Sequence, residues 1–223
     1  MGGLIDGKNF DGVILDLDGV VIDSEPIHKA VFSSICEQWG PPVTWDEFGE
    51  FIGKSVEYMW SHIIEKYSLD IPVSQLADHF HAELAGFFRQ NSILPPIDGI
   101  PELLDLLARE QIACAIGSSS SHQNIEMSLA ATGLSERIPK RVSGEDVRQI
   151  KPAPDIFLLA ARRMGVAPDR CLVIEDSAAG IQAAISAGMQ SVGFISPHSG
   201  QQDLSGATII VQSLRDLATE VER

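Results

Sequence analysis

Basic residues are scarce in this chain of 223: 16 Lys and Arg stand against 31 Asp and Glu, a formal charge of −15. That balance excludes a nucleic-acid binder, because phosphate backbones are gripped largely by Lys and Arg and no basic stripe exists. No run approaches the roughly 18 to 20 apolar residues of a spanning helix, which argues against a membrane partner. Residues 1–7 lack the basic and apolar segments of a secretory signal, so the chain is expected to stay in the cytoplasm. Cysteine is sparse as well. Cys36, Cys114 and Cys171 are odd in number, far apart and set among apolar neighbours, which suits buried reduced thiols rather than disulfides or zinc. Internal repeats and low-complexity tracts are absent. What is present, 44% hydrophobic and 21% charged residues, is the composition of a packed globular protein. The length fits one large domain or a domain carrying an insert.

Four short apolar runs punctuate the chain: residues 13–17, 112–116, 171–174 and 191–195. Near-continuous apolar strands separated by helices are what a parallel sheet covered on both faces looks like in sequence. Helical periodicity fills the gaps, with Leu103, Leu104, Leu106 and Leu107 in one segment, Ile156, Leu158, Leu159 and Met164 in another, and Ile181 and Ile185 four apart in a third. The expected fold is therefore α/β, a doubly wound parallel sheet. Residues 24–92, between the first two strands, are far too many for an ordinary crossover and contain no comparable strand. Their periodic stretches, 27–39, 55–67 and 74–90, predict helices, and Trp39, Trp45 and Trp60 fit a small helical core. The chain then divides into an α/β core, residues 1–23 and 93–223, and an inserted helical cap, 24–92.

Acidic residues close two of the strands. Asp16 and Asp18 follow the first, and alternation along a strand places both on one side. Two carboxylates so close repel each other and call for a cation or a proton between them. Glu175 and Asp176 close the fourth apolar run, and ligands of open α/β sheets gather at the carboxyl ends of strands. Four hard oxygen donors converging on one point select Mg²⁺, whose octahedron is commonly completed by water and a phosphate oxygen. The rest of the pattern suits a phosphate. Ser118 ends the second strand, Ser119, Ser120 and Ser121 open a helix whose hydroxyl and N–H groups suit a dianion, and Lys151 stands on a stretch stiffened by Pro152 and Pro154.

These motifs, in this order and with a helical insert after the first, resemble those of the haloacid dehalogenase superfamily, in its capped phosphatase and phosphomutase branch; they span residues 13–188. The resemblance implies that Asp16 is a nucleophile forming an aspartyl phosphate, and that Asp18 is the general acid and base. It further implies that Asp16, Asp176 and the Asp18 carbonyl bind Mg²⁺, with Glu175 a ligand or one layer out. Ser118 and Lys151 would hold the phosphoryl group. Dehalogenases of the superfamily lack the second aspartate, so Asp18 points to phosphoryl chemistry and a small phosphorylated metabolite as substrate. His28 stands beside the first linker, where capped relatives carry a histidine near the leaving group. Gly53 and Lys54 match a cap loop that touches the substrate.

Other readings are weaker. Residues 49–55 imitate a P-loop but are one residue short between glycines and carry Glu50 where phosphates would lie. His79, His81 and Glu83 read as a wet helix face. A β-phosphoglucomutase-like enzyme is the nearest rival, yet where that subgroup carries an arginine after the cap-loop glycine, Val56 stands here. A phospho-acceptor signalling module would lack the insert, and a non-catalytic phosphometabolite sensor would have no use for both aspartates. Oligomeric state is not legible.

Overall fold

The computed structural model describes residues 10–39, 44–51, 55–91 and 93–218. Six parallel strands form one sheet: β1 (Gly12–Leu15), β2 (Ala113–Gly117), β3 (Lys140–Val142), β4 (Cys171–Glu175), β5 (Gln190–Phe194) and β6 (Ile209–Val211). Their order is β3-β2-β1-β4-β5-β6. The chain winds outward from β1 to β3, then crosses back to start β4 on the other side of β1. The two directions part between β1 and β4, the switch point at which such sheets open a crevice at their carboxyl ends.

Alternation along the strands sorts the core into two layers. Ile14, Ala115 and Val173 point to one face, where they meet Ile156, Phe157, Ala160 and Ala161 of helix α7 (Asp155–Met164) and Ala183 and Ala184 of α8 (Ala178–Ser186). Val13, Leu15, Ile116, Leu172 and Ile174 point to the other, against α5 (Ile100–Arg109) and α6 (His122–Ala131). Short α9 (Arg215–Ala218) packs on α5. Strands covered on both faces have no reason to alternate with polar residues, which is why they read as unbroken apolar runs.

Within residues 24–92 the described elements are helices: α1 (Glu25–Trp39), α2 (Trp45–Gly49), α3 (Val56–Tyr67) and α4 (Val73–Gln90). Thr44 and Glu47 close a reciprocal capping box on α2, and Ser55 caps α3 by accepting the Tyr58 N–H. Helix α4 starts at Val73, one residue before the expected Ser74, behind Pro72 and without a side-chain cap. The insert buries an aromatic cluster centred on Phe32, whose ring lies 4.7 Å from Trp60 and 5.8 Å from both Phe48 and Phe51. Trp60 is the tryptophan that builds this core, at 1% exposure, whereas Trp39, at the last position of α1, is 43% exposed. The side chain of Trp45 lies outside the described residues. Helix α4 also packs on α6 of the sheet layer, so the two cores adjoin.

The cysteines are free thiols, Cys36 and Cys171 buried and Cys114 partly so. Burial pushes Cys36 and Cys114 up to about 12 and Cys171 up to about 11, which keeps all three inert at neutral pH. No helix among the described residues is long and apolar enough to cross a membrane.

Because Trp60 touches both Phe32 and Phe80, its removal leaves a cavity that those rings cannot jointly fill. Trp60→Ala is expected to cost about 3–5 kcal/mol in urea unfolding; a loss below about 1 kcal/mol would show that the insert needs no aromatic core.

Candidate active site

Strand pairing sets the centre of the site. Leu15 is in register with Ile174, and the Asp16 N–H still donates to the Ile174 carbonyl at 3.0 Å, so the residues after β1 and at the end of β4 lie side by side. Asp16, Glu175 and Asp176 are all buried, and each offers a carboxylate oxygen within 4.8 Å of the others. Lys151 enters from the loop before α7. Its Nζ donates to Asp16 Oδ1 at 2.7 Å and to Glu175 Oε1 at 2.6 Å, and it lies 4.9 Å from the Phe157 ring centroid.

Three carboxylates and one ammonium leave two negative charges uncompensated when all are ionised. In a dry crevice that excess must be removed by protonation or by a cation. Burial is the main force on Asp16 and raises it; Lys151 pulls back, Glu175 and Asp18 add repulsion, and the carboxyl settles at about 7. Asp176 is raised well above the usual carboxylate range by burial and by the charges of Glu175 and Asp16. Burial works against the charge of Lys151, but Asp16 and Glu175 outweigh it and raise its pKa. Hard oxygen donors with a shortfall of two positive charges fit a divalent cation such as Mg²⁺.

Glu175 has both oxygens engaged: Lys151 takes Oε1, while the Ser177 N–H and hydroxyl both donate to Oε2 at 2.8 Å. Its approach to the start of α8 requires a glycine there, since a Cβ on Gly180 would lie 1.9 Å from the Glu175 carboxyl carbon. Gly19, at φ +77°, plays the same part for Asp176, whose Oδ2 would sit 1.8 Å from an added Cβ. Oδ2 of Asp176 also accepts from Ser199, on the loop after β5.

Asp18 is held apart from this cluster. The Ser24 hydroxyl donates to its Oδ1 and the Ser120 hydroxyl to its Oδ2, each at 2.7 Å. Both serines come from connecting segments, Ser24 from the passage into the helical insert and Ser120 from the turn after β2. Ser118, at 1% exposure, accepts the Ser120 N–H at 3.0 Å and so bends that turn towards Asp18. Ser119 is exposed, with its carbonyl pressed against Gly144, where a Cβ would lie 2.6 Å away.

His28, half-buried on α1, packs edge-on to Phe80 at 6.0 Å. Burial lowers its pKa; the charge of Asp18 acts the other way, and His81 adds to the lowering. Glu25 is pushed up to about 7 by burial and by the charges of Asp18 and Asp23. Asp23 in turn pairs with His198 Nδ1 at 2.7 Å. Gly53 and Lys54 lie outside the described residues; Gly49 ends α2 and Ser55 caps α3, so no strand precedes the P-loop-like stretch. His79 and Glu83 form an open pair at 3.7 Å on α4, and among the described residues the metal-competent group is Asp16, Glu175 and Asp176.

Ser199 and Glu25 complete the arrangement without having stood out in the sequence. Ser120, expected among the serines suited to a dianion, donates to Asp18, and Ser24 and Ser177, which lie within the motifs, gain their partners from the fold.

Three carboxylates and one buried lysine gathered at the switch point of a parallel sheet mark the ligand end of an α/β protein. The chain belongs to the haloacid dehalogenase-like hydrolase family, whose pattern matches residues 13–194. It is 31% identical over 213 residues to a probable pseudouridine-5'-phosphatase of Drosophila melanogaster, covering 93% of this chain and 91% of that one. With the fructose-1-phosphate phosphatase YqaB of Escherichia coli it shares 31% identity over 187 residues, 83% of this chain and 96% of that one. The β-phosphoglucomutase of Bacillus subtilis is 33% identical over 219 residues, 94% of this chain and 92% of that one.

Two outcomes follow from the geometry. In Gly180→Ala the new methyl displaces the Glu175 carboxylate and unseats Lys151, so activity should fall at least about 10²-fold while the circular dichroism spectrum stays folded; near-normal turnover would show that Glu175 does not position Lys151. Glu25 keeps its proton in the folded state up to about pH 7, whereas the unfolded carboxyl ionises near 4.5, so its contribution to stability is lost as pH rises through that window. Glu25→Gln should match the native protein near pH 4.5 and exceed it by on the order of 1–2 kcal/mol at pH 8 in urea melts; an offset independent of pH would contradict this.

Proposed function

We propose that this chain is a Mg²⁺-dependent phosphatase that hydrolyses a small phosphorylated metabolite through an aspartyl phosphate on Asp16. The observation that carries the reading is the division of labour between two aspartates two residues apart. Asp16 sits in the charged cluster with Lys151, Glu175 and Asp176, and Asp18 stands aside between two hydroxyls.

Asp16 and Asp176 would hold the metal together with the Asp18 carbonyl, and Glu175 would serve chiefly to hold Lys151. When bound, the metal neutralises charge on the cluster and on a phosphoryl oxygen. Lys151, already donating to Asp16 Oδ1, is placed to receive a phosphoryl oxygen beside the nucleophile, and the hydroxyl proton of Ser118 is available to the same group. The free carboxylate oxygen of Asp16 attacks phosphorus; the P–O bond to the leaving group breaks, and Asp18 gives that oxygen its proton. Asp18 then takes a proton from water, which attacks the aspartyl phosphate and releases inorganic phosphate. A serine hydroxyl both donates and accepts, so Ser24 and Ser120 can stay bonded to Asp18 in either protonation state.

Residues 24–92 would act as a cap on the α/β core of residues 1–23 and 93–223, closing over bound substrate to exclude water. The mutase relative keeps a second reading open, in which the phosphoryl group returns to a sugar phosphate rather than to water.

A panel of sugar, polyol, short-acid and nucleoside monophosphates assayed with Mg²⁺ tests this. Free phosphate is the expected product; isomerised sugar phosphate without release would assign the mutase. Asp16→Asn should abolish turnover, and Asp18→Asn should lower it by about 10²- to 10⁴-fold. Turnover by Asp16→Asn at the native rate would refute the covalent route.

A further inference from the structure

We infer that Ser199 is the positioning residue for Asp176, and that the loop bearing it ties this metal ligand to the hinge of the helical insert. The inference rests on the reading of Asp176 as a ligand. Asp176 follows the last residue of β4 and has a single hydrogen-bond donor to its carboxylate among the described residues, the Ser199 hydroxyl. Ser199 lies 23 residues further along, beyond β5, and is 5% exposed.

Its placement is fixed from two sides. The Ser199 carbonyl accepts from Gln202 Nε2 at 3.1 Å, and Gln202 Oε1 accepts from the Ala178 N–H at 3.2 Å, at the first residue of α8. One residue earlier, His198 Nδ1 pairs with Asp23 Oδ2 at 2.7 Å. Asp23 precedes Ser24, the residue that holds Asp18. The loop is thus pinned both to the helix that follows Asp176 and to the linker that enters α1.

Oδ2 of Asp176 is consequently boxed between the Gly19 backbone and the Ser199 hydroxyl; a Cβ on Gly19 would lie 1.8 Å from Oδ2 and 3.0 Å from Ser199 Oγ. The carboxylate is thereby held in place beside Asp16 and Glu175. A ligand oriented beforehand gives up little rotamer entropy when a metal binds.

Mg²⁺ binding to the purified 223-residue chain, followed by calorimetry, tests the inference without reference to turnover. Ser199→Ala should weaken Mg²⁺ by about 10-fold or more and raise the Mg²⁺ needed for half-maximal phosphate release, with the KM for substrate unchanged; Ser199→Thr should restore both. His198→Ala and Gln202→Ala, which loosen the loop without touching Asp176, should each weaken Mg²⁺ several-fold, and they carry the comparison if Ser199→Ala does not fold. Asp176→Asn separates the two claims. If it loses Mg²⁺ while the Ser199, His198 and Gln202 variants bind like the native protein, the positioning role is overturned and the metal site stands. If Asp176→Asn itself binds Mg²⁺ normally, the ligand assignment fails and the inference falls with it.

Discussion

Repulsion among carboxylates in a dry crevice is the constraint around which this protein is arranged. Asp16, Glu175 and Asp176 lie close enough to share one cation, and Lys151 supplies only part of the opposing charge. Side chains so placed are stable only if each has a fixed partner, because an unpaired buried charge costs several kcal/mol. Lys151 bridges two of the three, Ser177 takes the remaining oxygen of Glu175, and Ser199 holds Asp176. What stays unsatisfied is charge rather than geometry, and that excess of negative charge suits a divalent cation.

The sheet makes such crowding possible. Parallel strands bring the ends of β1 and β4 into register without any loop having to span them, and the change of winding direction leaves the space above them uncovered by a crossover. Glycines then let backbone approach the carboxylates more closely than any side chain would permit, at Gly19 for Asp176 and at Gly180 for Glu175. Asp18 is governed from elsewhere, by one serine on the turn after β2 and another at the entrance to the helical insert. Two aspartates of one short segment thus receive different surroundings, the condition for giving two carboxylates different chemical roles.

Much of this was legible from residues alone. The apolar runs at β1, β2, β4 and β5 stood out because strands buried on both faces carry almost nothing polar, whereas β3 and β6 escaped notice: each is three residues long, sits at an edge of the sheet, and is only partly buried. Trp39 seemed to belong to the helical core by residue type, but the last position of α1 leaves it half in solvent. The acidic residues and Lys151 were visible because strand ends and proline-framed turns mark positions. Ser199 was not, since a common residue in a loop gains a role only from what the fold sets beside it.

The sequence by itself determined the α/β class, the helical insert and the acidic positions at the strand ends, because hydrophobic periodicity and local spacing are properties of neighbouring residues. Tertiary structure alone decided that Lys151 bridges Asp16 and Glu175, that Ser24 and Ser120 share Asp18, and that Ser199 reaches back to Asp176. Those contacts join residues from 6 to 135 positions apart, and hydrogen bonds over such separations depend on where loops close, which no local pattern encodes.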